Sequence, residues 1–291
     1  MQSRDNEGVE LGELSFRPLK RIRPPSFSPL TAWRALKSFV EYRDLLVTLS
    51  LHRIDVRYKQ SALGWAWAVL QPLLLMVVYT VIFSLFTRMP NEGVPYALFV
   101  FSALLPWTYF ATIVTTSATS LVNHSQLITK VYFPREILPV TYVIAALVDF
   151  AIASVVMAAM MAYYHIRPTA SILYVIPIML VLTTFGTALA LILSSLQVRV
   201  RDIGLAMPLV MQLWMFATPV VYPLSMVPAR FRAFYILNPL AGTVEGFRRV
   251  VIQSQAPDLE SLEKAALISF ILLPIAYMFF KNREASMADI I

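Results

Sequence analysis

Six stretches of about 20 mostly apolar residues restrict this chain more tightly than any other feature, because that is the length of helix needed to cross roughly 30 Å of hydrocarbon. They run Ala66–Phe86, Pro95–Thr119, Ile137–Tyr164, Ser171–Ser195, Ile203–Tyr222 and Leu262–Phe280. Inside a bilayer only a helix or a closed barrel satisfies its own backbone. The alternating apolar and polar residues of barrel strands are missing here. Of the 291 residues 58% are hydrophobic and 14% charged, whereas a water-soluble domain is near a quarter charged. The sequence therefore predicts an all-α integral membrane protein with six transmembrane helices. With no cysteine, disulfides, cysteine-ligated zinc and thiol nucleophiles are excluded. His52, His124 and His165 are too scattered to suggest a metal site.

Lysine and arginine orient the spans. Of the 24, 17 fall in the segment before the first span, in the second and fourth connections and in the tail; 7 fall on the opposite side. That excess places both termini in the cytoplasm. The net charge of +7 then describes a membrane-facing cytoplasmic surface and no nucleic-acid partner. Residues 1–30 are polar, with Pro24, Pro25 and Pro29, and read as a flexible N-terminus without a cleavable signal. In residues 31–65, Trp33, Leu36, Val40, Leu46 and Leu49 recur at helical spacing among arginines and lysines. This is the pattern of an amphipathic helix lying in the headgroup region, or of one packed on a partner. Residues 66–291 form the six-helix domain.

The connection Pro223–Ser261 is too apolar for a solvated loop. Val227–Leu237 and Leu240–Ile252 are each about half a crossing long. Asn238-Pro239 divides them, and proline disfavours helix at the residue before it. A short re-entrant helix pair before the last span is expected, with an ordinary aromatic belt around Tyr222, Phe234 and neighbouring rings as the alternative.

Catalytic patterns are missing: the sequence has no nucleotide-binding G-x-x-x-x-G-K-[ST], no G-x-S-x-G and no H-E-x-x-H. Asp149 is the sole acid well inside a span, where a carboxylate is expensive and must face helices or water. It either belongs to a conduit or gate, or locks two helices together. Aromatic residues within or beside the spans, Tyr79, Trp107, Tyr109, Phe110, Tyr142, Trp214 and Phe216, could stack on the C–H faces of sugar rings along a channel, or could be core. The short, charged connections Asn123–Glu136 and Leu196–Asp202 are where a cytoplasmic motor would push.

Landmarks now accumulate in order. Arg57-Tyr58-Lys59-Gln60-Ser61-Ala62-Leu63-Gly64 is followed by Trp65, Trp67 and Pro72; then come Lys130-Val131-Tyr132-Phe133-Pro134-Arg135-Glu136, Arg201-Asp202-Ile203, Thr218-Pro219-Val220-Val221-Tyr222-Pro223 and Asn238-Pro239-Leu240. Over about Leu45–Lys281 the chain resembles the membrane subunit of ABC-2-type polysaccharide exporters, which move O-antigen, capsule or teichoic-acid chains. The resemblance implies a homodimer whose two copies form the channel, and two copies of a separate ABC ATPase that carries the ATP and Mg. This chain would then hold no cofactor and perform no catalysis. It further implies a coupling helix within Asn123–Arg135, with Lys130, Phe133, Pro134, Arg135, Glu136, Arg201 and Asp202 facing the ATPase. The segment before Arg57 would be a cytoplasmic gate where Arg53, Arg57, Tyr58, Lys59, Trp65 and Trp67 admit substrate. Val227–Ile252 would be the outer re-entrant pair, with Tyr222, Phe234, Asn238 and Pro239. The partners implied are a second copy, the ATPase, membrane lipid and a lipid-linked polysaccharide in the cytoplasmic membrane of a bacterium. The cluster Arg53, Arg57 and Lys59 would either attract the phosphate or pyrophosphate of that lipid or simply anchor to headgroups. The alternatives are an ABC-2 exporter of a small molecule or lipid, and a membrane-embedded glycan transferase, which the solitary Asp149 disfavours.

Overall fold

The computed structural model describes residues 39–59, 61–83, 94–228, 230–231, 235 and 237–290. Residues 1–38, which include Trp33 and Leu36 of the expected amphipathic helix, lie outside them, as do residues 84–86 of the first expected span. Residues 229, 232–234 (Phe234 among them) and 236 of the expected Val227–Leu237 helix lie outside them too. Regular structure among the described residues is entirely helical. Among the described residues four helices are long and apolar enough to cross a membrane: α3 (Tyr96–Ala118), α6 (Ile137–Tyr163), α7 (Val175–Gln197, with the 3-10 turn Ala170–Tyr174 before it) and α10, whose crossing part is Leu259–Glu284. The first and fifth expected spans are the shorter apolar helices α2 (Ala66–Ile82) and α8 (Asp202–Phe216). Two short helices, α4 (Ser120–Asn123) and α5 (Ser125–Lys130), follow α3, and α9 (Pro239–Ile252) precedes α10.

Helix α3 is the axis. It packs against α2, α6, α7, α8 and α9. Its residues Leu98–Leu105 are all buried, and their long apolar run explains why no polar stripe is left to face outward. Phe110 stacks flat on Phe185 of α7 at 5.6 Å and meets Trp214 of α8 edge-on at 5.4 Å. Such offset and perpendicular pairs suit the ring quadrupoles.

Helix α1 (Arg43–Lys59) is docked lengthwise on α6. Ser50, Ile54 and Tyr58, four residues apart and hence on one face, are its buried positions. Arg53 meets Tyr142, and five residues on Tyr58 meets Asp149, so the two helices rise together. Over its described residues this amphipathic segment packs on its own chain, with Val47, Leu51 and Val56 left exposed. Ser61–Trp65 then turns the chain into α2. Gly64 sits there at φ +51°, a left-handed conformation that side chains other than glycine's adopt only with strain.

Helix α10 departs from expectation. The expected span stops at Phe280, but the helix continues to Ile290, 32 residues in all. The added sequence, Lys281 to Ile290, is built largely of good helix formers. Phe280 and Met287, seven residues and two turns apart, bury one stripe of it.

Candidate functional site

The first cluster lies between α1, α3 and α6. Arg57 Nη1 donates to Asp149 Oδ2 at 2.5 Å, and Tyr58 Oη donates to Asp149 Oδ1 at 2.5 Å. Each oxygen of Asp149 thereby has a donor, one a guanidinium and the other a phenol, which is the kind of partner a carboxylate in a span requires. Burial, reinforced by the adjoining carboxylate, raises the Tyr58 phenol above its ordinary range, so it stays a donor at physiological pH. The Tyr58 ring stacks on Trp65 at 4.7 Å. Arg53 lies with its guanidinium 3.4 Å from the centre of the Tyr142 ring, and burial pulls its pKa below the usual arginine value.

Arg53, Arg57, Tyr58, Tyr142 and Asp149 border a cavity of about 230 Å³ whose wall adds Thr112 and Thr116 of α3. A second hollow adjoins it, sharing Arg57, Thr112, Ala146 and Asp149 and extending to Gln71, Tyr109 and Phe150. Two guanidiniums and one carboxylate line the first cavity, leaving an excess of positive charge beside hydroxyls. That is the chemistry of a pocket for a phosphate-type anion. The structure thus brings Arg53, Arg57, Tyr58, Tyr142 and Asp149 together. Lys59, Trp65 and Trp67 lie exposed nearby in sequence.

The other aromatic candidates divide. Trp107, Tyr109 and Phe110 are buried in the protomer core, with Tyr109 Oη 2.8 Å from Thr183 Oγ1. Trp107 and Phe110 are packed among other core side chains, whereas Tyr109 also borders the second hollow. Tyr79 and Trp214 are half-buried, Tyr79 donating to the Met215 sulfur at 3.8 Å, and Phe216 is exposed.

The second cluster gathers the connections. Tyr132 is 95% exposed, with Val131 exposed beside it and Lys130 likewise. Phe133 points the other way, into a core with Leu121, Ile128, Ile137, Leu138 and Phe280. Pro134 and Arg135 are half-buried. Glu136 is 1% exposed and receives Lys281 Nζ at 2.7 Å and Tyr277 Oη at 3.4 Å. Phe133 and Glu136 are thus buried within this chain, while Lys130, Val131 and Tyr132 of the same connection are exposed. On the other connection Arg201 and Asp202 are exposed, while Gln197 closes the turn, accepting from Gly204 N at 2.6 Å and donating to Arg201 O at 2.9 Å.

At the opposite end, Asn238 caps α9, its Oδ1 accepting from Leu240 N at 3.2 Å, with Pro239 in the first helical position. Its Nδ2 donates to Thr218 Oγ1 at 3.0 Å, and Trp214 Nε1 reaches its Oδ1 at 3.4 Å. The start of α9 is thus pinned to the end of α8. Tyr222 shares a 2.5 Å contact with the Tyr235 hydroxyl. Sequence reasoning missed Arg248, which is 0% exposed. It donates to Glu245 Oε2 at 2.7 Å and to the Pro219 and Val220 carbonyls at 3.0 and 2.9 Å, and lies 3.8 Å from the Phe99 ring centre. A glutamate three residues before an arginine in an apolar helix was the available signal.

Helices of membrane-crossing length with a polar cleft beside them mark the chain as a multi-pass membrane protein. The ABC-2 type transporter family matches residues 45–252, and the chain belongs to that family. It is 32% identical over 258 residues to the O-antigen export system permease protein RfbA of Myxococcus xanthus, covering 88% of this chain and 98% of that protein. A Klebsiella pneumoniae protein of the same name is 32% identical over 253 residues, covering 85% of this chain and 95% of its own. The polysialic acid transport protein KpsM of Escherichia coli is 22% identical over 247 residues, covering 82% and 93%. The chain is a multi-pass membrane transport subunit and not an enzyme.

Proposed function

We propose that this chain is the permease of an ATP-driven exporter that passes a lipid-linked polysaccharide, of the O-antigen or capsule kind, across the bacterial cytoplasmic membrane. The observation that carries this reading is the near end-to-end likeness to an O-antigen export permease, 98% of whose length is matched. Two copies enclose the path, and two copies of a separate ATPase bind ATP and Mg and drive it. All six apolar helices span, α9 forms the outer re-entrant element, and both termini lie in the cytoplasm. Exposed apolar side chains on α2 (Leu74, Val77, Val78) and α8 (Leu205, Leu209, Leu213) need lipid or the second copy to cover them, which agrees with that assembly.

The cavity between α1, α3 and α6 takes the phosphate or pyrophosphate of the carrier lipid at the cytoplasmic gate. Arg53 and Arg57 supply charge-assisted hydrogen bonds, and Thr112 and Thr116 supply hydroxyls. The phosphate would compete with Asp149 for Arg57, so arrival of substrate loosens α1 from α6. Tyr132 and Lys130 present the ATPase-docking face.

Deleting the gene and probing the cell surface for long-chain glycan tests the reading. Loss of surface glycan with chains retained inside, restored by the wild-type gene, is expected; undiminished surface glycan refutes it.

A further inference from the structure

We propose that the cytoplasmic end of α10, residues 281–286, positions both cytoplasmic connections for coupling, as a brace that passes an ATPase's push into α6 and α7 instead of letting the loops bend. The proposal rests on the reading of the chain as an ATPase-driven permease. The two connections are remote from each other in sequence, yet both are tied to this one stretch of helix. On the first, Lys281 Nζ sits between Glu136 Oε2 at 2.7 Å and Glu284 Oε2 at 2.8 Å. Arg135 closes the ring: its backbone N–H donates to Glu284 Oε1 at 3.2 Å, and its guanidinium donates to the Glu284 carbonyl. On the second, Arg199 Nη2 donates to Ser286 Oγ at 3.3 Å. Beneath these contacts Phe280 and Met287 pack with Phe133, Ile137 and Val198 in one core.

An ordinary membrane anchor would hold its lysine out toward headgroups. Here the ammonium is spent inside the protein, because Glu136 at 1% exposure cannot stay charged without a partner. Glu136 is also the residue from which α6 starts. The segment Val131–Pro134 before it lies outside the helices and is joined to them by backbone bonds only at its ends, Val131 N donating to Leu127 O at 3.0 Å and Ile137 N to Pro134 O at 3.1 Å, so the rigidity of its middle comes from what it is fastened to. Tyr132 projects from the free side of this fastened segment. A load applied there meets α10 and the base of α6 together. Lys281 is a positioning residue in this arrangement: it touches neither nucleotide nor glycan.

The test uses the complete complex with its ATPase in proteoliposomes, measuring ATP hydrolysed and glycan exported in the same vesicles. Lys281→Met should keep hydrolysis but export less, raising the ATP consumed per chain on the order of fivefold. Lys281→Arg keeps the charge and should restore the wild-type ratio. Arg199→Gln, at an exposed site that does not threaten folding, should raise the ratio in the same direction, about twofold. Hydrolysis and export falling in parallel, or a ratio unchanged in Lys281→Met and Arg199→Gln, overturns the brace. A wild-type complex that couples no export to ATP overturns the transporter reading itself, and the brace with it.

Discussion

Replacing Asp149 by asparagine separates a binding pocket that competes with its own carboxylate from a simple helix lock. In the structure Arg57 must leave Asp149 before it can engage a phosphate in the cavity they share. A hydrogen bond to a charged group contributes about 1.5–3 kcal/mol net. With the Arg57 side chain 43% exposed against 16% for Asp149, the lower end applies. Each 1.4 kcal/mol or so is about a factor of ten in affinity. Asparagine keeps a carbonyl to accept from Tyr58 while losing the charge that holds Arg57, so Asp149→Asn should bind a prenyl pyrophosphate about tenfold more tightly than wild type. Arg57→Gln should bind it at least about tenfold more weakly. The assay is calorimetric titration of farnesyl pyrophosphate into the complex in nanodiscs, with farnesol controlling for the hydrocarbon tail and thermal unfolding checking that each variant is intact. An intact Asp149→Asn protein that binds no more tightly than wild type would refute the competition, leaving Asp149 as a helix lock.

Three further outcomes are expected. Tyr132→Ala, at a fully projecting side chain, should leave thermal unfolding unchanged and lower the amount of ATPase that co-purifies with the permease. Phe133→Ala should act on stability instead, at about 3–5 kcal/mol for emptying a buried phenylalanine site, read as a lowered unfolding midpoint in detergent. Arg248→Met should cost a similar 3–5 kcal/mol or so, since it strips a buried donor from Glu245 and from two backbone carbonyls, and should be visible as loss of monodisperse protein in size-exclusion chromatography.

What the sequence made legible is what depends on near neighbours. Helices α3, α6 and α7 follow from unbroken apolar runs, and the cap at Asn238 follows from the proline after it. Asp149 could be recognised as anomalous because a charge in such a run is costly. Its partners could not, because Arg57 and Tyr58 lie about 90 residues away on a helix whose apolar spacing suggested headgroups or an unnamed partner. The same limit hid the brace. Lys281 counted as a tail charge, and nothing local to it reveals Glu136, 145 residues earlier. The end of α10 was nonetheless within reach, since Phe280 and Met287 keep helical spacing through a run of helix formers.

Counting rings in spans cannot by itself place them, for a different reason. The number of aromatics is a property of composition, whereas lumen or core is decided by which helix face meets α3. That axis packs against five other helices, which buries Trp107 and Phe110, while Tyr109, Thr112 and Thr116 on the same helix border the cavities beside α1 and α6. The polar groups that the bundle leaves near solvent lie instead where α1 meets α6 and where α10 leaves the bundle. Glu136 and Asp149 stand on one uninterrupted helix, about 20 Å apart at 1.5 Å per residue. One stiff element therefore carries at its base the residue fastened to α10 and, three to four turns on, the residue that holds α1. A displacement imposed on Glu136 along the helix axis would reach Asp149 with little loss, since the backbone hydrogen bonds between them resist axial compression, and this is how the proposed brace and the proposed gate would be linked.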